Sequence, residues 1–157
     1  EGVVQGRLLA GCSGLGMQFT NMSEADSSDR ARLRVISNGF VKGIPGRDCV
    51  DWSAKGAGTL WGGIVGSSGY RGRSLSMPDA PSKDVAELYV EANQPITLVF
   101  QTTPESWYQC SVAASFVPKA NQDYEARFDL NSSSCGVNVR SLSEPNAHVE
   151  LVDAAPC

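Results

Sequence analysis

His148 is the single histidine of the chain, and any nucleophilic chemistry of the Ser-His-Asp kind would have to pass through it. Such chemistry needs an imidazole that the fold aims at a hydroxyl, with a third group to orient it. His148 instead follows the turn Ser143-Glu-Pro-Asn at the head of a short terminal strand, a surface position, and no G-x-S-x-G elbow accompanies it. Paired carboxylates for acid–base work could come from Asp48 with Asp51 or from Glu87 with Glu91. Each pair falls in a loop or on an outward strand face, where solvated charge is the expectation. Cys49 lies beside Arg47 and Asp48 and could carry a thiol of lowered pKa, but a structural disulfide is the commoner fate of such a cysteine. The glycine-rich passage Gly66-Ser-Ser-Gly-Tyr-Arg-Gly lacks the G-K-[ST] ending of a phosphate loop and does not join a strand to a helix. None of these sets carries catalysis, so the expected catalytic, metal and cofactor assignment is none.

Aromatic side chains are the residues with functional pull. Trp61, Tyr70, Trp107 and Tyr108 stand in or next to loops, where they could contact a protein partner or form a platform for a sugar. Trp52 is expected in the core. The chain carries 13 basic and 17 acidic residues, a net charge of −4 with no basic cluster, which argues against a grip on nucleic acid or anionic lipid. Five cysteines without a C-x-x-C pair argue against a structural zinc.

The elements that must position these residues are short strands. A chain of 157 residues with 16 glycines and 8 prolines fits one domain rich in turns. In Cys110–Phe116, Cys110, Val112, Ala114 and Phe116 alternate with Ser111, Ala113 and Ser115. In the next run Tyr124, Ala126, Phe128 and Leu130 oppose Glu125, Arg127 and Asp129. A pleated strand turns alternate residues to opposite faces, so each run has one apolar side. With Cys135, Val137 and Val139 the stretch reads as a three-stranded meander. Leu33 and Val35 oppose Arg32, Arg34 and Ile36 in an earlier strand, and Asn38-Gly39 is expected to return it as a hairpin through Phe40–Ile44. Val85–Val90, with Ala86, Leu88 and Val90 on one face, and Ile96–Phe100 read as a second hairpin, and His148–Val152 as a last short strand.

Cys110 and Cys135 each open a run and share its apolar face, so a bridge between them is expected. Closing its loop of roughly 25 residues is worth about 3 kcal/mol on the chain-entropy model. Cys49 and Cys157 are then left to each other if Cys12 stands apart, while Cys12 with Cys49, leaving Cys157 free, is the competing pairing. About seven or eight strands with no helix beyond two turns predict an all-β, disulfide-bonded, antiparallel two-sheet sandwich over residues 31–157, immunoglobulin-like or transthyretin-like in shape, with a small β-barrel as the alternative. Residues 1–30 are expected to be a tether, or sequence foreign to the domain. Asn21-Met-Ser and Asn131-Ser-Ser are formal glycosylation sequons, relevant to a eukaryotic source.

Four stretches together carry a resemblance: Ala31-Arg-Leu-Arg-Val-Ile-Ser-Asn-Gly, Pro45-Gly-Arg-Asp-Cys-Val-Asp-Trp, Gly72-Arg-Ser-Leu-Ser-Met-Pro and Phe116-Val-Pro-Lys-Ala-Asn-Gln-Asp-Tyr-Glu-Ala-Arg-Phe. Their hydrophobic, Pro, Gly and Cys positions resemble those of uncharacterised lipoproteins of proteobacterial cell envelopes, over most of the body of the chain. Leu9-Ala10-Gly11-Cys12 likewise matches a lipobox, in which the cysteine becomes the lipidated residue. Glu1–Arg7 departs from that pattern, being neither a basic nor an apolar leader region. The resemblance implies a lipid-anchored periplasmic domain with Cys12 as attachment point and no catalytic residues to carry over. The expected function is a non-enzymatic binding or assembly domain of the envelope that meets a protein partner through its loops. A carbohydrate or peptidoglycan module, and more remotely a hydrolase dependent on His148, are the alternatives.

Overall fold

The computed structural model describes residues 20–62, 68–81, 85–103, 105–130 and 134–157. Among them are nine strands and no helix: β1 (Arg30–Ser37), β2 (Phe40–Pro45), β3 (Gly58–Trp61), β4 (Ala86–Glu91), β5 (Ile96–Gln101), β6 (Ser111–Phe116), β7 (Asp123–Leu130), β8 (Cys135–Ser141) and β9 (Val152–Asp153). They form a four-stranded sheet ordered β4-β1-β7-β8 and a five-stranded sheet ordered β3-β2-β5-β6-β9. Both sheets are open, giving the expected sandwich and not a closed barrel. Strand neighbours are antiparallel except for β1 and β7, which run parallel from Arg32 beside Asp123 to Ser37 beside Phe128.

Period-two patterning supplies the core. Leu33 and Val35 of β1, Leu88 and Val90 of β4, Ala126 and Phe128 of β7, and Val137 and Val139 of β8 turn inward from one sheet. Val41, Leu60, Leu98, Phe100, Val112 and Ala114 meet them from the other. Phe100 and Phe128 stack across the interface with ring centroids 5.7 Å apart. Each fully buried side chain of this size contributes about 1.5–3 kcal/mol relative to exposure.

The strands are where the alternation puts them, but three of the expected connections differ. Asn38-Gly39 does not close a hairpin: β1 and β2 belong to different sheets. The chain crosses the edge of the sandwich there, and a Cβ on Gly39 would lie 2.6 Å from the Gln101 carbonyl oxygen and 2.7 Å from the Phe100 ring. Only glycine permits that passage. Asn38 donates to the Leu130 carbonyl and accepts from the Leu130 amide, both at 3.1 Å, so its side-chain amide continues the sheet where β1 has left it. In the same way β4 and β5 lie in opposite sheets, joined by a corner in which Asn93 takes a positive φ of 65°. The Cys110–Leu142 stretch is not a meander, since β6 is in one sheet and only β7 and β8 pair as a hairpin. The expected last strand shrinks to Val152–Asp153.

Both cysteine pairings are present. Cys110–Cys135 ties the residue before β6 to the first residue of β8 and therefore joins the two sheets, and Cys49–Cys157 closes a span of 108 residues. Two bridges of this kind point to folding in an oxidising, extracytoplasmic environment. Cys12 and Asn131 lie outside the described residues, as does most of the expected tether. From Thr20 onward the segment is docked: Met22 is buried in the core, its amide bonds the Thr59 carbonyl, and Ala25 bonds the Tyr89 carbonyl.

The outer face of each sheet is covered by a loop. Ala54, Ala57 and the partly buried Val50 and Trp52 lie over Ile44 and Val99 of the five-stranded sheet, so Trp52 belongs to a small second core. Residues 71–79 pass over the four-stranded sheet, where Arg71 bridges Ala86, the Gly72 amide bonds Val85 and Met77 is buried.

Candidate functional site

The aromatic candidates are divided by the fold. Trp61 ends β3 and is only 5% exposed, with the Arg71 guanidinium carbon 4.9 Å above its ring. Tyr70 packs against the core, and its hydroxyl donates a short hydrogen bond to the Met22 carbonyl; burial raises its pKa. Trp61 is thus buried and Tyr70 half-buried, both next to the loops in which they were expected. Trp107 is 80% exposed and stands out among the described apolar side chains. Tyr108 beside it is half-buried against the core, the two rings tilted by 56° with centroids 6.0 Å apart.

The loop that holds Trp107 is pinned by its own polar residues. The Ser106 amide bonds the Thr103 carbonyl, the Gln109 side-chain nitrogen donates to the carbonyls of Ser106 and Thr103, and the Ser106 hydroxyl donates to the Tyr108 carbonyl. Thr102 closes the base, its hydroxyl donating to Gln109 Oε1 and accepting from the Cys110 amide. The Cys110–Cys135 bridge anchors the whole at its next residue. Ser, Thr and Gln here satisfy backbone groups that an open loop would leave to water.

A cleft of about 310 Å³ opens beside this loop. Ser37, Asn38, Gly39 and Phe40 of the sheet crossing form one wall, Trp61, Gly62 and Arg71 a second, and Thr103 and Glu105 the rim. Ser37 and Asn38 are occupied in holding the crossing, so the charged groups facing the opening are Arg71 and Glu105. That set offers an ion-pairing rim and no nucleophile–base pair. His148 is exposed, far in kind from such a role.

A second polar cluster went unseen in the sequence. Glu87, expected on a solvated outward face, is fully buried, because residues 73–79 cover that face. Arg34 lies between two carboxylates: its Nε donates to Glu87 at 2.9 Å and its Nη1 to Glu125 at 2.8 Å. The remaining donors reach backbone carbonyls of the covering loop, Met77 at 3.2 Å and Pro78 at 2.6 Å, with Asp79 at 3.5 Å. Glu87 in turn accepts from the Leu75 amide at 2.6 Å. Ser76 and Asp79 take φ values of 58°, bending the loop so that its carbonyls turn inward. Burial works to raise the Glu125 carboxyl, but the hydrogen bonds from Arg34 and Arg140 outweigh it and hold the group below the ordinary carboxylate range. The signal available in the sequence was opposite charge at the centres of β1, β4 and β7. Only the register, which sets Arg34 beside Glu87 and Glu125, turns it into a cluster.

The other candidates are placed as follows. Glu91 is half-buried and accepts from the Ser27 hydroxyl at 2.8 Å, away from any partner carboxylate. Asp48 is exposed, and Asp51 is lowered in pKa by its bonds to Ser53, with Arg47 nearby. Cys49 is disulfide-bonded and so is no reactive thiol. Among the described residues no group of three or more His, Cys, Asp or Glu side chains is arranged to hold a metal ion. Compared with protein-family models the chain matches none, and no curated protein matches it significantly.

Proposed function

We propose that this chain is a non-enzymatic binding domain of a bacterial cell envelope, held to the membrane by a lipid on Cys12, which meets a protein partner through the loop 102–109. The observation that carries the reading is Trp107, a large apolar side chain 80% exposed on a loop whose backbone is fixed by hydrogen bonds and by the adjacent disulfide. A tryptophan presented in this way loses little conformational freedom on binding, and such residues recur as the energetic centres of protein interfaces. A glycan platform is the less favoured reading: Trp107 and Tyr108 are tilted and not coplanar, and Trp61 is covered by Arg71. The lipid anchor and the periplasmic location rest on the Leu9–Cys12 motif and the family resemblance, with the disulfides in support.

The test is Trp107→Ala in the full-length protein produced in its own host. Partner co-purification should fall at least tenfold while the thermal midpoint stays unchanged, because the side chain packs against little of the body. Undiminished co-purification would remove the loop from the interface. Tryptophan fluorescence that shifts on titration with peptidoglycan fragments, and loses the shift in the same variant, would install the glycan reading instead.

A further inference from the structure

The two sheets have four edges, and the molecule treats them unequally. The β3 edge is covered by the segment around Met22 and by Ser68–Tyr70, through bonds such as Met22 to Thr59 and Tyr70 to Leu60. The β4 edge is covered by Gly72 and Arg73, which bond Val85 and Glu87, and by Glu24 and Ala25 at Tyr89. β9 is two residues long. β8 is seven residues long, contains neither proline nor lysine, and among the described residues pairs only with β7. Long edges without such protection are sites for pairing with another chain.

The polarity of β8 follows from its ladder. Leu142 donates to Asp123, so the residues of β8 that bond β7 are Arg140, Asn138 and Gly136. Leu130, opposite Cys135, is engaged with Asn38 on the far side, as that alternation requires. The amides and carbonyls of Cys135, Val137, Val139 and Ser141 therefore point out from the sheet. The chain after β8 returns to β9 without a backbone bond to it.

We infer that β8 pairs with β8 of a second copy, antiparallel about a two-fold axis at Asn138, joining two four-stranded sheets into one. In that register Val137 faces the second copy's Val139 and Cys135 faces its Ser141, so each outward amide meets an outward carbonyl. The strand is self-complementary on its outer face as well. Arg140, whose Nε is held by Glu125 across its own hairpin at 3.1 Å, falls opposite the second copy's Gly136, where no side chain obstructs the approach. The two Asn138 side chains face each other on the axis, so no like charges meet directly. This isologous arrangement closes at two copies and leaves no free edge of that sheet.

The test is sedimentation equilibrium of the full chain over a wide concentration range, comparing wild type with Val139→Pro and Gly136→Lys. Proline at 139 deletes an outward amide while leaving the bonds to β7 intact. Lysine at 136 confronts the second copy's Arg140 and leaves every backbone bond in place, so it serves even if the proline variant fails to fold. The inference requires a wild-type dimer whose dissociation constant rises about tenfold or more in either variant that retains the native thermal midpoint. A wild-type chain monomeric at about 1 mM, or a dimer that Gly136→Lys leaves unchanged, overturns it. Trp107→Ala should leave the dimer intact, which keeps this result separate from the loop-contact test.

Discussion

Replacing Glu87 by glutamine changes almost no volume and should nevertheless destabilise the protein severely. An arginine has five N–H donors, and here they are directed at Glu87, Glu125 and the carbonyls of residues 77–79. One oxygen of Glu87 accepts from Arg34 and the other from the Leu75 amide. A glutamine offers one oxygen and one NH₂. Whichever way it flips, the NH₂ confronts a donor, either the guanidinium or the loop amide, and Arg34 is left with one buried carboxylate. Breaking a buried pair by removing one partner costs about 3–5 kcal/mol, because the surviving charge stays desolvated. Folded domains have only about 5–15 kcal/mol in all, so this single substitution should remove about a fifth of the margin or more. At about 2–4 °C per kcal/mol for a chain of this size, the thermal midpoint should fall by roughly 6–20 °C. Guanidinium unfolding followed by tryptophan fluorescence, with the disulfides intact, measures the difference. A loss below about 1 kcal/mol would mean that Glu87 behaves as a surface carboxylate and that residues 73–79 do not seal it from water.

Glu125 predicts a response to acid. Its folded pKa lies below the unfolded one, so its stabilisation is full above the ordinary carboxylate range and is lost as pH falls through the lowered folded value; Glu125→Gln should flatten the loss of stability below about pH 4.5. Lys42 gives a slope of the same sign in a more alkaline window, because there burial penalises the charged form. Burial lowers its pKa from 10.5 to about 8, so between those values only the unfolded chain holds the proton and stability rises with pH. Lys42→Met should therefore stabilise the protein at pH 7, by on the order of 3 kcal/mol, with the gain over wild type fading as pH approaches 10.5 in paired denaturation curves. Cys157→Ser, made together with Cys49→Ser, should cost roughly 4–5 kcal/mol in denaturant unfolding, since the bridge closes a span of 108 residues.

Most strands, their core faces and the Cys110–Cys135 bridge are legible because they follow from local alternation and a shared apolar run, whereas Cys49–Cys157 follows only by elimination and competes in the sequence with Cys12–Cys49. The sheet in which a strand lies is not legible. Asn38-Gly39 carries the same two letters whether it reverses a hairpin or lets the chain cross from one sheet to the other. The decision rests on Phe100 and Gln101, some sixty residues on, which occupy the space a Cβ would need. The burial of Glu87 escapes the sequence for the same reason: an outward strand face is wet unless something covers it, and the cover is residues 73–79 held by Arg34 of another strand. Of the aromatic candidates, Trp107 is found where a polar loop suggested, whereas Trp61 follows a strand into the core.

The parallel pairing of β1 with β7 bears on how the chain is made. β1 is an interior strand, yet Arg34 and Glu125 are 91 residues apart in sequence. A ribosome adding about 5–20 residues per second, or a secretion channel delivering the chain from its N-terminus, presents β1 several seconds before β7 exists to receive it. With its neighbours so distant, the four-stranded sheet cannot be completed cotranslationally from its first half, and closure of such long loops belongs to the slower range of folding rates. The same delay keeps the nascent chain threadable until most of it has emerged. A domain bound for the outside of a membrane crosses more readily in that state.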